Sequence, residues 1–540
     1  MRHRRTLLGS ALALAFATLF NVAGSAAAAD GAVRTIAIDV HAPTVARDRF
    51  ADLSVGSDYP GTLIRDDSLA QLKIAKDELG FRTIRFHGIF HDVLGTYKVV
   101  DGKPVYDWTK IDYLYDKLLG MGIKPFVELG FTPEAMKTSN NSIFYWKGNT
   151  SHPELKQWQG LVDAFVRHLQ QRYGKEEVRS WFFEVWNEPN LDGFWEKADQ
   201  KAYFELYDVS ARTIKAIDPA LRVGGPSTAG AAWVPEFLAH TQQSGAAVDF
   251  ITTHTYGVDG GFLDENGKED NKLSASPDAI VGDVRKVRKE IEASYLPKLP
   301  LYFTEWSTSY SPRDLVHDAY MSAAYILSKL KATEGVVQGM SYWTYSDLFE
   351  EPGPPTAPFE GGFGLMNPQG IRKPAWFAYK YLNQLGNQQV KTTDAQSWVT
   401  RDAQGVQVLA WDFQTPDQGT KSNRPYYGVV QPTRNGTPLT LALKGMKPGS
   451  YTMQVYRTGF KANDAHTAYL EMGKPKTLDA AQVGKLQGLT QDKPEVRQLK
   501  VGTGGKASVQ VPMRVNDVVL VKIGKQIKNV IPAKAGIHAE

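Results

Sequence analysis

The sequence predicts an α/β fold: a (β/α)8 TIM barrel followed by a C-terminal accessory β-sandwich domain. Strand-like and helix-like segments alternate eight times between residues 50 and 386. Near residue 390 the pattern changes to short alternating segments separated by turn residues. The chain has 540 residues, 42% of them hydrophobic, which is enough for more than one domain and a large buried core.

The strand candidates are 50–58, 81–88, 124–131, 180–188, 221–228, 249–257, 301–307 and 339–347, short runs bounded by turn or helix signals. The helical patterns between them are 67–79, 108–121, 152–173, 200–217, 234–243, 277–295 and 314–331, with 373–385 after the eighth strand. Gly120 stands near the end of the second helix and Pro312 just before the seventh. Arg167, Arg172 and Lys175 crowd the end of the third, where positive charge complements the helix dipole. A doubly wound nucleotide-binding sheet would need a glycine fingerprint after the first strand, and Gly56-Ser57-Asp58-Tyr59-Pro60-Gly61 does not supply it.

The sandwich is expected over 387–525, from segments 398–401, 406–413, 439–444, 451–456, 497–501, 507–511 and 518–523. Asn435-Gly436 and Lys447-Pro448-Gly449 supply turns between them. Segment 33–39 also alternates, so 30–49 is expected to add a strand to this sandwich, whereas 526–540 reads as a loose tail. Residues 1–29 read as a secretory signal peptide: basic Arg2-His3-Arg4-Arg5, an apolar run from Leu7 to Phe20, and small residues Ala26-Ala27-Ala28-Ala29 for cleavage. The expected mature protein is soluble and exported, periplasmic or secreted, with no membrane association after cleavage. Cysteine is absent, which excludes disulfides, thiolate catalysis and Cys-ligated zinc. The net charge of +4 is spread along the chain and leaves no footprint for nucleic acid.

Two carboxylates stand out. Glu188 follows Trp181-Phe182-Phe183-Glu184-Val185-Trp186-Asn187 and precedes Pro189, so it emerges from a buried strand at its C-terminal end. Glu305 lies in Leu301-Tyr302-Phe303-Thr304-Glu305-Trp306, near the end of the seventh strand. Acids at the C-terminal ends of two barrel strands can face one cleft, and a pair of carboxylates is what cleavage of a glycosidic bond requires. Glu184 and Glu128 are also strand acids. Glu184 sits two pleats below Glu188 and is read as a buried partner for an arginine, Arg85 being the candidate.

The run Trp181 to Leu191 with Phe194-Trp195, and Phe303-Thr304-Glu305-Trp306-Ser307-Thr308-Ser309-Tyr310, resemble glycoside hydrolase family 39, which holds β-xylosidases and α-L-iduronidases of the retaining barrel clan. Arg85-Phe86-His87-Gly88, His254-Thr255-Tyr256, the run Tyr342 to Glu351, Gly361-Gly362-Phe363-Gly364-Leu365 and Arg372-Lys373-Pro374-Ala375 carry the same resemblance, over residues 50 to 385. It implies Glu188 as general acid/base and Glu305 as nucleophile. It also implies that Asn187 bonds the sugar 2-hydroxyl, that His87, His254 and Tyr256 line the pocket, that Trp343 floors it, and that Glu350 and Glu351 bind hydroxyls of the terminal sugar. Many xylosidase members of the family have a histidine where this chain has Glu360.

The implied activity is hydrolysis of terminal β-D-xylosyl units from the non-reducing end of xylo-oligosaccharides by double displacement, with no metal or cofactor. The partner is then a small oligosaccharide substrate. The alternatives are another retaining exo-glycosidase of the clan (α-L-arabinopyranosidase, β-glucosidase or α-L-iduronidase-like) and a non-catalytic polysaccharide-binding protein.

Overall fold

The computed structural model describes residues 33–525. The expected signal peptide (1–29) and C-terminal tail (526–540) lie outside the described residues. Eight parallel strands close into a barrel: β1 (Ser54–Ser57), β2 (Thr83–Phe86), β3 (Lys124–Leu129), β4 (Phe182–Val185), β5 (Arg222–Thr228), β6 (Phe250–Tyr256), β7 (Leu301–Ser307) and β8 (Gly339–Tyr342). The outer helices are α1 (Asp66–Leu79), α2 (Thr109–Gly120), α3 (Leu155–Tyr173), α4 (Gln200–Ile217), α5 (Val234–Ser244), α6 (Val281–Glu292), α7 (Ser322–Thr333) and α8 (Pro374–Asn383). Helix α3 shows how the sequence makes them. Glu154 caps its first turn by accepting from the Gln157 amide, and Trp158, Leu161, Val162, Phe165 and Leu169 form one buried stripe.

Strand periodicity stacks the barrel interior in layers. Phe126, Phe182, Phe250 and Tyr302 plug the N-terminal end, with the Phe126 and Phe182 rings stacked at 4.5 Å. Two residues further along β3 and β4 the inward positions are Glu128 and Glu184, both fully enclosed. The layer that opens into the cleft lies above them, and two β-bulges form it. The β6–β7 register slips at Thr304, so that Thr304 donates to Glu184 Oε1 (2.7 Å) while the adjacent Glu305 also enters the cleft. The β5–β6 register slips at Ser227, whose carbonyl accepts the Glu188 amide (2.8 Å).

Several expectations need correction. The seventh helix starts at Ser322, because residues from Asp314 are spent on a 3-10 turn, Leu315–His317, capped by the Asp314 carboxylate. A hairpin, Tyr97–Val100 with Lys103–Tyr106, precedes α2; its Asp101-Gly102 turn has both residues at positive φ. Another, Val258–Leu263 with Glu269–Leu273, follows β6. Beyond the barrel a seven-stranded and a three-stranded sheet pack face to face. The segment before the barrel supplies a strand to each. Thr44–Ala46 edges the large sheet, and Arg34–Asp39 pairs in parallel with Leu439–Lys444, so the sandwich is not wholly antiparallel. Helices Ala465–Glu471 and Ala480–Leu489, absent from the sequence reading, lie among these strands. The large sheet's outer face (Trp398, Leu409, Trp411, Leu520) merges with the barrel core, and the Trp411 indole donates to Ser328 (2.7 Å).

Close approach of β1 to β8 depends on Gly56. A Cβ there would lie 2.2 Å from the Trp343 ring, which is itself wedged against His87 and Phe349. Gly56→Ala is expected to cost about 1–3 kcal/mol of stability by overpacking, measured by denaturant titration. A wild-type value would contradict the contact.

Candidate active site

The cleft at the C-terminal ends of the strands is organised around Arg85, which is fully buried at the end of β2. Its guanidinium donates to Glu184 Oε2 (2.5 Å), Glu305 Oε1 (2.8 Å), Asn187 Oδ1 (2.8 Å) and Ser227 Oγ (3.2 Å), and lies 3.1 Å from Glu128 Oε2. The resemblance assigned no role to Arg85; the sequence reading placed it only as the candidate partner of Glu184. Its contact with the nucleophile candidate had no signal of its own, since only a bulge in β7, three strands away, brings Glu305 to it.

Glu305 is held in place by directed donors. Besides Arg85, the Tyr256 hydroxyl donates to Oε2 (2.7 Å). Burial and the nearby acids push the Tyr256 phenol well above its ordinary pKa, so it remains a donor. Glu188 is in a different environment. It is 8% exposed, and its one side-chain hydrogen-bond partner is His254 Nδ1 (2.8 Å). Burial raises its pKa to about 7, against smaller lowering effects from His87 and Arg85. His254 is driven down to about 4 by burial and is neutral when Glu188 titrates. Glu188 also sits at φ 46°, a left-handed conformation costly for a residue with a side chain and characteristic of functional sites.

Glu188, His254 and Glu305 offer atoms all within 4.8 Å of one another. That geometry could admit a cation. Arg85 already supplies positive charge to Glu305, however, and the two acids then differ in environment as an acid and a nucleophile must.

The remaining residues line the cleft. His87 bonds Glu128 through Nδ1 (2.7 Å). Burial disfavours its charged form, but Glu128, Glu351 and Glu305 outweigh that and hold its pKa well above the usual value. His87 Nε2 stands 3.2 Å from Glu351 Oε1, an oxygen left without an aligned hydrogen-bond donor. Burial raises Glu351 to about 8, so it can donate as well as accept. Glu350 is turned the other way: Arg65 donates to its carboxylate (2.9 Å), and its amide is fixed by Asp58 (2.8 Å). Asn187 accepts from Arg85, leaving its buried Nδ2 unpartnered and available as a donor. Trp343 packs with Phe349, Phe363 and Tyr256 as the apolar wall. Phe144, which the sequence gave no reason to single out, stacks on His87 at 5.8 Å. Glu360 lies back from these groups, accepting from Thr356 N (3.0 Å) and Oγ1 (2.6 Å) and 3.5 Å from Arg313.

The loop that carries Phe349, Glu351 and Phe363 is pinned by a buried cation. Lys373 Nζ contacts Asp318 (2.7 Å) and Asp347 (2.8 Å) and donates to the Gly362 carbonyl (2.7 Å). The same two acids accept from the Gly361 and Gly364 amides. A Cβ at Gly362 would strike the Asp347 carboxylate at 2.3 Å, so the glycine run is what lets the loop wrap that side chain.

A β-xylosidase from Geobacillus stearothermophilus is 39% identical over 386 residues, 69% of this chain and 76% of that protein. One from Caldicellulosiruptor saccharolyticus is 36% identical over 449 residues, 81% of this chain and 88% of that protein. The crystal structure of a monomeric β-xylosidase from Caulobacter crescentus CB15 superposes with a TM-score of 0.90 at 66% identity, covering 92% of this chain and 100% of the other. The model of the glycosyl hydrolases family 39 matches residues 35–505, and the chain belongs to that family, whose members hydrolyse O-glycosyl bonds.

Proposed function

We propose that the protein is a retaining exo-β-xylosidase that releases terminal β-D-xylosyl units from the non-reducing ends of xylo-oligosaccharides. One observation carries the mechanism: oxygens of Glu188 and Glu305 lie within 4.8 Å of each other, in opposite electrostatic environments. Retaining enzymes hold their carboxyl groups about 5–5.5 Å apart, whereas inverting enzymes need about 6.5–9.5 Å to admit a water. The similarity to β-xylosidases supports the pentose.

In the first step Glu305 attacks the anomeric carbon while Glu188 gives its proton to the leaving glycosidic oxygen. A glycosyl ester on Glu305 results. Water then attacks the same carbon, Glu188 takes its proton, and Glu305 departs as carboxylate. Arg85 and Tyr256 hold the nucleophile aimed. The Asn187 amide and the Glu351 carboxyl provide unsatisfied groups for sugar hydroxyls, and Trp343 an apolar face. The Tyr145 amide donates to the Glu351 carbonyl (2.8 Å), which ties the loop of Glu351 to that of Tyr145. Export is part of the same reading and rests on the basic and apolar N-terminal sequence; no helix among the described residues is long and apolar enough to cross a membrane.

Proton NMR of aryl β-xyloside hydrolysis should show β-xylose first, mutarotating later; α-xylose as the first product would exclude double displacement. For a xylo-oligosaccharide, kcat/KM should fall tenfold per pH unit above about 7, because Glu188 must be protonated to donate. In Glu188→Ala, assayed on an aryl xyloside whose leaving group needs no proton, that limb should vanish, and its persistence would assign it elsewhere. Glu305→Gln should reduce turnover roughly ten-thousand-fold, the scale of losing a nucleophile, while a binding protein would retain full affinity and have no turnover to lose. A panel of aryl xyloside, arabinoside, glucoside and iduronide tests the substrate, and preference for any but the xyloside would overturn that part.

A further inference from the structure

The groups assigned to the terminal sugar sit on one arc of the barrel: Trp343 and Glu351 follow β8, and His87 follows β2. His254 and Tyr256 stand on the opposite arc. They are alternate residues of β6, so they share one face of it, and they bond Glu188 and Glu305 respectively. A sugar ring held against Trp343 turns its leaving oxygen toward Glu188. The rest of the substrate then passes over the ends of β5, β6 and β7.

On that path stands an aromatic ring that the mechanism does not use. Tyr310, in the loop after β7, is 50% exposed and meets Tyr256 edge to face, with ring centroids 6.4 Å apart. Tyr256 bonds Glu305, so the Tyr310 ring is one side chain removed from the nucleophile. Its hydroxyl is already spent, donating to Oδ1 of Asn271 (2.7 Å), a buried residue of the strand Glu269–Leu273. The hairpin is shaped to receive it. Its register slips between Asp259 and Phe262, and a Cβ on Gly260 would lie 2.7 Å from the Tyr310 hydroxyl, so a larger residue there would press that hydroxyl away from Asn271.

The hairpin is fastened in turn from the C-terminal unit. Fully buried Asn423 accepts from the Leu273 amide (2.9 Å) and donates to Asp314 (2.8 Å), and the Asp270 carboxylate accepts from the Arg424 amide (2.8 Å). Tyr310 is therefore a large surface side chain whose tip is anchored while half of it stays open to solvent.

We infer that Tyr310 is the platform for the leaving group: the first pyranose beyond the scissile bond lays its apolar face on this ring. A ring held in place beforehand gives up little rotamer freedom when the sugar arrives. With its hydroxyl committed to Asn271, it offers a face and no directed hydrogen bond. It selects for a ring-shaped leaving group without reading which hydroxyls that group carries. The inference rests on the retaining-xylosidase reading, which supplies the substrate.

The test compares two xylosyl donors on the full chain. Xylobiose has a pyranose leaving group, and β-D-xylosyl fluoride has one too small to reach Tyr310. Tyr310→Ala should lower kcat/KM for xylobiose about tenfold more than for the fluoride, the scale of one stacked ring. Tyr310→Phe, which keeps the ring and gives up only the bond to Asn271, should restore most of that difference. Equal losses on the two donors would make Tyr310 a support for Tyr256 and overturn the proposal, as would an unaltered rate on xylobiose. A phenylalanine variant as poor as the alanine one would assign the effect to the hydroxyl and overturn the stacking. Wild-type protein that cleaves neither donor would overturn the xylosidase reading, and the proposal with it.

Discussion

One guanidinium, completely withdrawn from solvent, ties the catalytic layer together. Arg85 reaches Glu184, Glu128, Asn187, Ser227 and Glu305, which come from β3, β4, β5 and β7 or the residues just beyond them. Leaving a charge buried without its partner costs several kcal/mol, about 3–5 when one member of a buried pair is removed. The strand ends therefore cannot drift apart independently: each supplies part of the charge that makes burying Arg85 tolerable. The planar fork matters as well, because its donors must point to different strands at once, which a lysine could not do.

From that constraint the different environments of the two acids follow. Glu305 accepts hydrogen bonds from Arg85 and Tyr256. Glu188 receives neither, and desolvation dominates its titration. The two carboxyl groups are neighbours in space, and a difference in donors separates their roles. His87 belongs to the same network, positively charged between Glu128 and Glu351. The wall opposite is set by a second buried cation, Lys373, whose two aspartates hold the glycine run under Phe363. Acidic and basic groups buried in pairs thus brace the cleft beside its apolar wall.

The alternation of strands and helices was legible because each element repeats at its own period, as the apolar stripe of α3 shows. Glu188 and Glu305 stood out because a carboxylate at the end of an aromatic strand has few structural reasons to exist, and the fold brings the two within 4.8 Å. Glu184's partnership with Arg85 could be read from their depth in neighbouring strands. The difference between Glu350 and Glu351 could not. They are adjacent in a loop, and only the positions of Arg65 and His87, remote in sequence, send one to the rim and the other to the cleft. Helix α7 began later than its pattern suggested because Asp314 caps a 3-10 turn and His317 and Asp318 bond Gly361 of the loop beside the pocket.

By itself the sequence determined the architecture and the chemical type of the site, since periodicity, turn residues and the family motifs are local properties. The tertiary structure alone decided how the parts are aimed. Bulges at Thr304 and Ser227 shift register by one residue, and in a strand one residue is the difference between facing the core and facing the sheet's other side. Nothing local encodes such a slip: it is settled by which neighbouring strand, and which buried charge, each residue must meet.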